Sequence, residues 1–101
     1  MPKFVLAFRG GMPKSPEEGQ KMMTDWNAWM DGLGLALVDR GAGFGKSRFL
    51  AGPDREQKAG DPLSGYSVVE AGDFDAAVDI ARKNPIFAFG GTIEIAEMMQ
   101  M

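Results

Sequence analysis

Two periods alternate in the spacing of apolar residues along this chain, and their order predicts the elements. Lys3 to Arg9 (KFVLAFR) reads as a strand bounded by Pro2 and Gly10-Gly11, with Phe4, Leu6 and Phe8 pointing one way and Val5 and Ala7 the other. Met22, Met23, Trp26, Trp29, Met30 and Leu33 then recur at three- and four-residue spacing against a polar face of Gln20, Lys21, Thr24 and Asn27, which predicts a helix. Ser15 marks its cap, Pro16 its first turn and Glu18 the partner of a capping box; the helix runs to about Asp31, where Gly32 and Gly34 end it. Leu35 to Asp39 (LALVD) predicts a second strand. Arg40 to Ser64, with five Gly and two Pro, reads as a long loop in which Ser47 to Leu50 form a short extra strand or hairpin arm.

The densest local signals lie between Gly65 and Glu97. Tyr66 to Glu70 is a strand, and Asp73 caps a helix whose stripe is Phe74, Ala77, Val78 and Ala81, stopped by Asn84-Pro85. Thr92 to Glu97 alternates Ile93 and Ile95 with Thr92, Glu94 and Ala96, as a half-buried strand does. Two strand–helix–strand halves with right-handed crossovers predict an α+β, ferredoxin-like βαββαβ fold, a four-stranded antiparallel sheet with both helices on one face. Strand one is apolar on both sides and Leu35 to Val38 are all apolar, so the face without helices keeps apolar surface. That predicts a homodimer through the uncovered sheets or their edges. Met98, Met99 and Met101 either add adaptable contacts there or fray.

Composition narrows the chemistry. At 101 residues, 45% hydrophobic and 25% charged, the chain is expected to be one folded domain, 1–101. It contains neither Cys nor His, which removes disulfides, thiolates, imidazole bases and Cys/His metal sites. A net charge of −3 without a basic stripe argues against nucleic acid. No apolar run is long enough to span a bilayer, and MPKFVLAFRGG suits a strand better than a secretory core, so no membrane partner and a cytoplasmic location are expected. No cofactor and no metal are expected.

Gly41-Ala42-Gly43-Phe44-Gly45-Lys46-Ser47 approaches a phosphate-binding loop but fails it. Three residues instead of four separate Gly41 from Gly45, Arg40 stands where the first glycine belongs, and Pro53 precludes the helix that should follow. Lys46, Arg48 and Arg9 beside the glycine clusters either make a modest anion site or are solvated charges. Asp39, Glu70 and Glu94 lie at or within strands. A carboxylate against a partly apolar pocket is a candidate general base, the alternative being an outward polar position, and Asp39, opening the glycine loop, is the first choice. Tyr66 is the only tyrosine; Trp26 and Trp29 are core or a stacking surface for a ligand.

The succession FVLAFRGG, SPEE and an aromatic-rich helix, ALVDRGAGF, PLSGYSVVEAGDFDAAVDIARKNP and GGTIEIAE resembles, over essentially the whole chain, the YCII-related family, with its YciI-like and DGPF-domain members. The DGPF motif is partly present: Gly52-Pro53 match, while Ala51 stands for the Asp and Asp54 for the Phe. The resemblance implies a dimeric α/β-barrel type of ferredoxin-like fold and, in some members, lyases or dehalogenating enzymes acting on small ring compounds. The His–Asp pair proposed as catalytic there does not carry over. There is no His, its helical position falls near Met22 or Met23, the Asp-Pro of those relatives is Asn84-Pro85, and a His after that Pro is Ile86.

The reading is therefore a small dimeric protein with a cleft between the first helix, the sheet and the long loop, binding a small aromatic or carbonyl-bearing metabolite. For a lyase or isomerase, Asp39 is the expected base, Arg9 or Arg48 the group holding an anion, and Tyr66 and Trp26 further substrate-binding residues. The alternative is a non-catalytic interaction or regulatory module using its sheet face or loop.

Overall fold

A computed structural model describes residues 1–58 and 60–99. β1 (Lys3–Arg9) leads to α1 (Pro16–Leu33), β2 (Leu37–Gly43), a hairpin of β3 (Phe49–Gly52) and β4 (Arg55–Gln57), β5 (Leu63–Glu70), α2 (Phe74–Arg82) and β6 (Thr92–Glu97). The main sheet has the order β2-β5-β1-β6 with every pairing antiparallel, and β3–β4 is a separate two-stranded sheet. This is the ferredoxin-like α+β arrangement expected, with both helices on one face.

The helix starts are built as their sequences suggest. Ser15 Oγ accepts a hydrogen bond from the Glu18 amide at 3.1 Å, and Glu18 Oε1 accepts one from the amide of Lys14 at 3.2 Å, so the box closes on the residue before the cap. Asp73 Oδ1 accepts from the Ala76 amide at 2.8 Å. Under the helices, Phe4, Leu6 and Phe8 of β1 and Val69 of β5 meet Trp29 of α1, Ala77 and Ala81 of α2 and Ile86 in one buried cluster. Each such large side chain contributes about 1.5–3 kcal/mol by leaving water. Trp29 Nε1 donates to the Ile80 carbonyl at 3.2 Å, which ties α1 to α2.

The other face of the sheet carries no helix. Cross-strand register places Val5 opposite Val68 and Ala96, and Ala7 opposite Tyr66 and Glu94. Val68 is only 8% exposed yet lies outside the core cluster, shielded by its neighbours on this second face. The molecule is a slab of 42 × 41 × 18 Å, two layers thick.

Four expectations are corrected. α1 continues to Leu33, because the chain is released only at Gly34, whose φ of 56° suits a residue without Cβ. The second strand begins at Leu37 rather than Leu35: Gly34–Ala36 form one turn of 3-10 helix with Leu35 98% exposed, so the apolarity read into that strand is partly spent on a turn. The long loop is largely ordered, since β2 extends to Gly43, β5 starts at Leu63 and the hairpin lies between them. A five-residue 3-10 helix, Pro85–Phe89, follows α2; Asn84 Oδ1 caps it by accepting from the Ile86 amide at 2.8 Å. Met23, placed on the core stripe by its spacing, is exposed. Met98 and Met99 are exposed, and Met101 of the Met-rich end lies outside the described residues.

Candidate functional site

β2 does not run straight beside β5. Asp39 pairs with Val68 and Ala42 with Tyr66, so three steps on β2 oppose two on β5, a bulge that holds Arg40 and Gly41. Gly41 has φ 75°, and a Cβ built there would sit 1.7 Å from the Tyr66 carbonyl oxygen; only glycine fits. Asp39 Oδ1 accepts from the Gly41 amide at 2.8 Å and fixes the turn, and the Ser67 hydroxyl donates to the Arg40 carbonyl at 2.9 Å.

Between this bulge and α1 opens a cleft of about 700 Å³. That volume lies within the range of small-molecule sites. Its floor is glycine-lined, from Gly10-Gly11 after β1 and from Gly41, Gly43 and Gly65, and its walls are mainly Phe8, Met22, Trp26, Met30, Phe44 and Ile86. Trp26 stands edge-on to Phe8 at 4.9 Å and to Trp29 at 6.1 Å between ring centroids. Among the described residues Arg40 is the one charged residue lining the cleft, and Ser64, also lining it, has a buried hydroxyl without a hydrogen-bond partner.

The residues singled out from the sequence fall in three places. Trp26 is in the cleft, on its helix wall. Asp39 and Tyr66 lie together: the Tyr66 hydroxyl donates to Asp39 Oδ2 at 3.2 Å, and Phe44 stacks on the Tyr66 ring at 5.9 Å. By register Asp39 shares the helix-free face with Val68, although Tyr66 and Gly41 also line the cleft. The hydrogen bond to Asp39, then its negative charge, then desolvation raise the Tyr66 pKa above the ordinary tyrosine value. Arg9 lies toward the same face, Nη1 donating to the Asp61 carbonyl at 3.2 Å and Nη2 standing 3.6 Å from Glu94 Oε1. Arg48 is on the hairpin arm in a fork with Glu56, which raises its pKa. The two glycine clusters thus converge on one cleft, whereas Arg9 and Arg48 are engaged elsewhere. Among the described residues no three Asp or Glu side chains gather as a metal site would need, and no helix is long and apolar enough to cross a membrane.

Arg40, Ser64 and Phe44 were not singled out as site residues. The available signal was Asp-Arg-Gly itself: an Asp two residues before a Gly is the sequence of an Asx turn, and such a turn inside a strand makes a bulge.

Fold and cleft together define an α+β protein of ferredoxin-like arrangement with an apolar pocket under its first helix. No family model matches the chain, and no curated protein matches it in sequence. Among solved structures it is similar to 5-chloro-2-hydroxyhydroquinone dehydrochlorinase from Burkholderia phenoliruptrix AC1100, determined in complex with 2,5-dihydroxybenzoquinone, with a TM-score of 0.62 over 97% of this chain and 95% of that one. At 16% identity the likeness is one of fold.

Proposed function

We propose that the chain is a cytoplasmic, homodimeric member of the YCII-related family, acting as one domain over 1–101, that binds a small ring or carbonyl-bearing metabolite in the cleft beneath α1. The observation that carries this reading is the 700 Å³ cleft itself, walled by Trp26, Phe8, Phe44 and methionines and floored by glycines. The fold neighbour, an enzyme bound to a ring compound, supports the substrate class. The dimer is supported by the 18 Å slab, whose helix-free face presents Val5, Ala7, Val68 and Ala96; a second such sheet packed at about 10 Å would cover them.

In the enzymatic form of this reading the reaction is a lyase or isomerase step, which needs a proton carrier and no cofactor. Asp39 is the base, Tyr66 sits between it and the cleft, and Trp26 stacks on the ring. Arg9 and Arg48, each paired with a carboxylate, would hold an anionic group of the ligand only by exchanging Glu94 or Glu56 for it. The test combines light scattering with a thermal-shift panel of ring compounds. Twice the chain mass is expected, with at least one compound raising Tm in wild type and not in Met22→Trp, which fills the cleft. Asp39→Asn should keep that shift and lose turnover. A one-chain mass refutes the dimer, and a shift unchanged in Met22→Trp refutes the cleft.

A second reading, a non-catalytic interaction module, is favoured by the arm: Phe49 and Leu50 are 46% and 64% exposed on a two-stranded hairpin, a unit that is marginal in water by itself. Removing residues 47–58 separates the two readings, since it should abolish partner capture in this one and spare ring binding in the first.

A further inference from the structure

The cleft contains two polar groups that its apolar walls do not explain. Arg40 is its only charged lining residue, and no carboxylate is within salt-bridge distance of it among the described residues. Its sequence neighbour Asp39 does not compensate it, because Asp39 Oδ1 and Oδ2 are taken by the Gly41 amide and the Tyr66 hydroxyl. Asp39 and Arg40 are successive residues of β2, so Asp39 keeps to the helix-free face beside Val68 while Arg40 lines the cleft on the other. Ser64 Oγ is buried without a partner. An unsatisfied buried hydroxyl is unfavourable, and an occupant with a polar edge relieves it. The remaining walls are thioether and aromatic: Met12, Met22, Met23, Met30 and Trp26 offer polarisable, adaptable contact to a flat ring.

Resting on the cleft reading above, we infer that the cleft selects a flat aromatic ligand carrying one negative charge, the anionic group meeting Arg40 and a ring substituent meeting Ser64. Arg40 is exposed, at the rim of the apolar walls, and a guanidinium there binds carboxylate or phenolate in a fork while the ring lies against those walls. A cationic ligand finds no counter-charge here, since no carboxylate lines the cleft.

The test uses a matched set of probes, 2-naphthoate, its neutral isostere 2-naphthamide and the cation 2-naphthylmethylammonium, titrated into the full-length protein with quenching of tryptophan emission as the signal. Wild type should bind 2-naphthoate at least about tenfold tighter than 2-naphthamide, a difference of about 1.4 kcal/mol, and the cation most weakly. Arg40→Gln should bring the naphthoate and naphthamide affinities together by weakening naphthoate alone, Arg40→Lys should restore part of the gap, and Ser64→Ala should weaken both probes without changing their ratio. Equal affinity for acid and amide in wild type, or a preference that survives in Arg40→Gln, overturns the inference while leaving the cleft reading intact. Binding of none of the three probes overturns both.

Discussion

Replacing Gly41 by alanine tests the bulge on which the cleft depends. The new Cβ would sit 1.7 Å from the Tyr66 carbonyl oxygen and 3.1 Å from the Ser67 Cα, both main-chain atoms that no rotamer change can move aside. It would also hold a non-glycine residue at φ 75°, which costs about 1–2 kcal/mol. Relieving the clash requires β2 to draw away from β5 by more than an ångström. That breaks about two hydrogen bonds across the bulge, the Ser67 hydroxyl to the Arg40 carbonyl and the Tyr66 hydroxyl to Asp39, at a net cost of about 1 kcal/mol each.

The sum is about 3–4 kcal/mol, a large share of the ~5–15 kcal/mol that holds a domain of this size together. At about 4–8 °C per kcal/mol, thermal unfolding followed by circular dichroism should show Tm lowered by more than about 12 °C. Gly45→Ala is the control, since its Cβ meets nothing within 4 Å and its φ is outside the left-handed region. It should stay within about 0.5 kcal/mol of wild type. A Gly41→Ala protein melting within about 3 °C of wild type would refute the bulge and the close approach of β2 to β5 at this point.

Three further outcomes are expected. Trp29→Phe removes the indole donor that ties α1 to the Ile80 carbonyl, which keeps only the Lys83 amide, and should cost about 0.5–1.5 kcal/mol, read as a lower urea midpoint at unchanged m; an unchanged midpoint would show that this bond does not couple α1 to α2. The single tyrosine allows a direct titration by tyrosinate absorbance: Asp39→Asn should lower the Tyr66 pKa toward its ordinary value of about 10, and an identical curve would break the pairing. Because the folded pKa is raised, the stability from this pair is fully present below the unfolded pKa and is lost as pH rises through the folded one, so wild type and Asp39→Asn should converge in Tm on the alkaline side only. Replacing residues 47–58 by a short Gly-Ser link should leave the far-ultraviolet spectrum of the main sheet and helices in place, since the arm forms its own two-stranded sheet; collapse of that spectrum would show the arm to be part of the core.

Most of the fold was legible because it is written in local signals. β1 and β6 have the boundaries their alternation predicts, and Ser15 and Asp73 cap where their short polar side chains suggest. Reading failed where tertiary contact overrides local pattern. Leu35 looks like a strand residue until Gly34 turns the chain, and Arg40 to Gly43 look like loop because glycine is rare in strands, although here β5 supplies the ladder and Gly41 supplies the bulge. The hairpin was seen only as a possible arm, since its register depends on Arg48–Glu56 and on backbone pairing rather than on alternation.

The cleft was harder to foresee than the strands because its floor is largely glycine main chain. A strand announces itself through the residues it buries. The floor here comes from Gly10, Gly11, Gly41, Gly43 and Gly65. In the sequence those glycines fall in three separate places, and only the β1–β5–β2 order brings them side by side. The charges selected from sequence acquire partners that only the fold supplies. Arg9 and Arg48 flank glycines in the chain, but carboxylates brought in by folding, Glu94 and Glu56, engage them. Arg40 follows Asp39 directly in β2 and so faces the other way, and no carboxylate among the described residues pairs with it. A residue's availability for a ligand is therefore set by which partners the fold denies it, and in this cleft that points to Arg40.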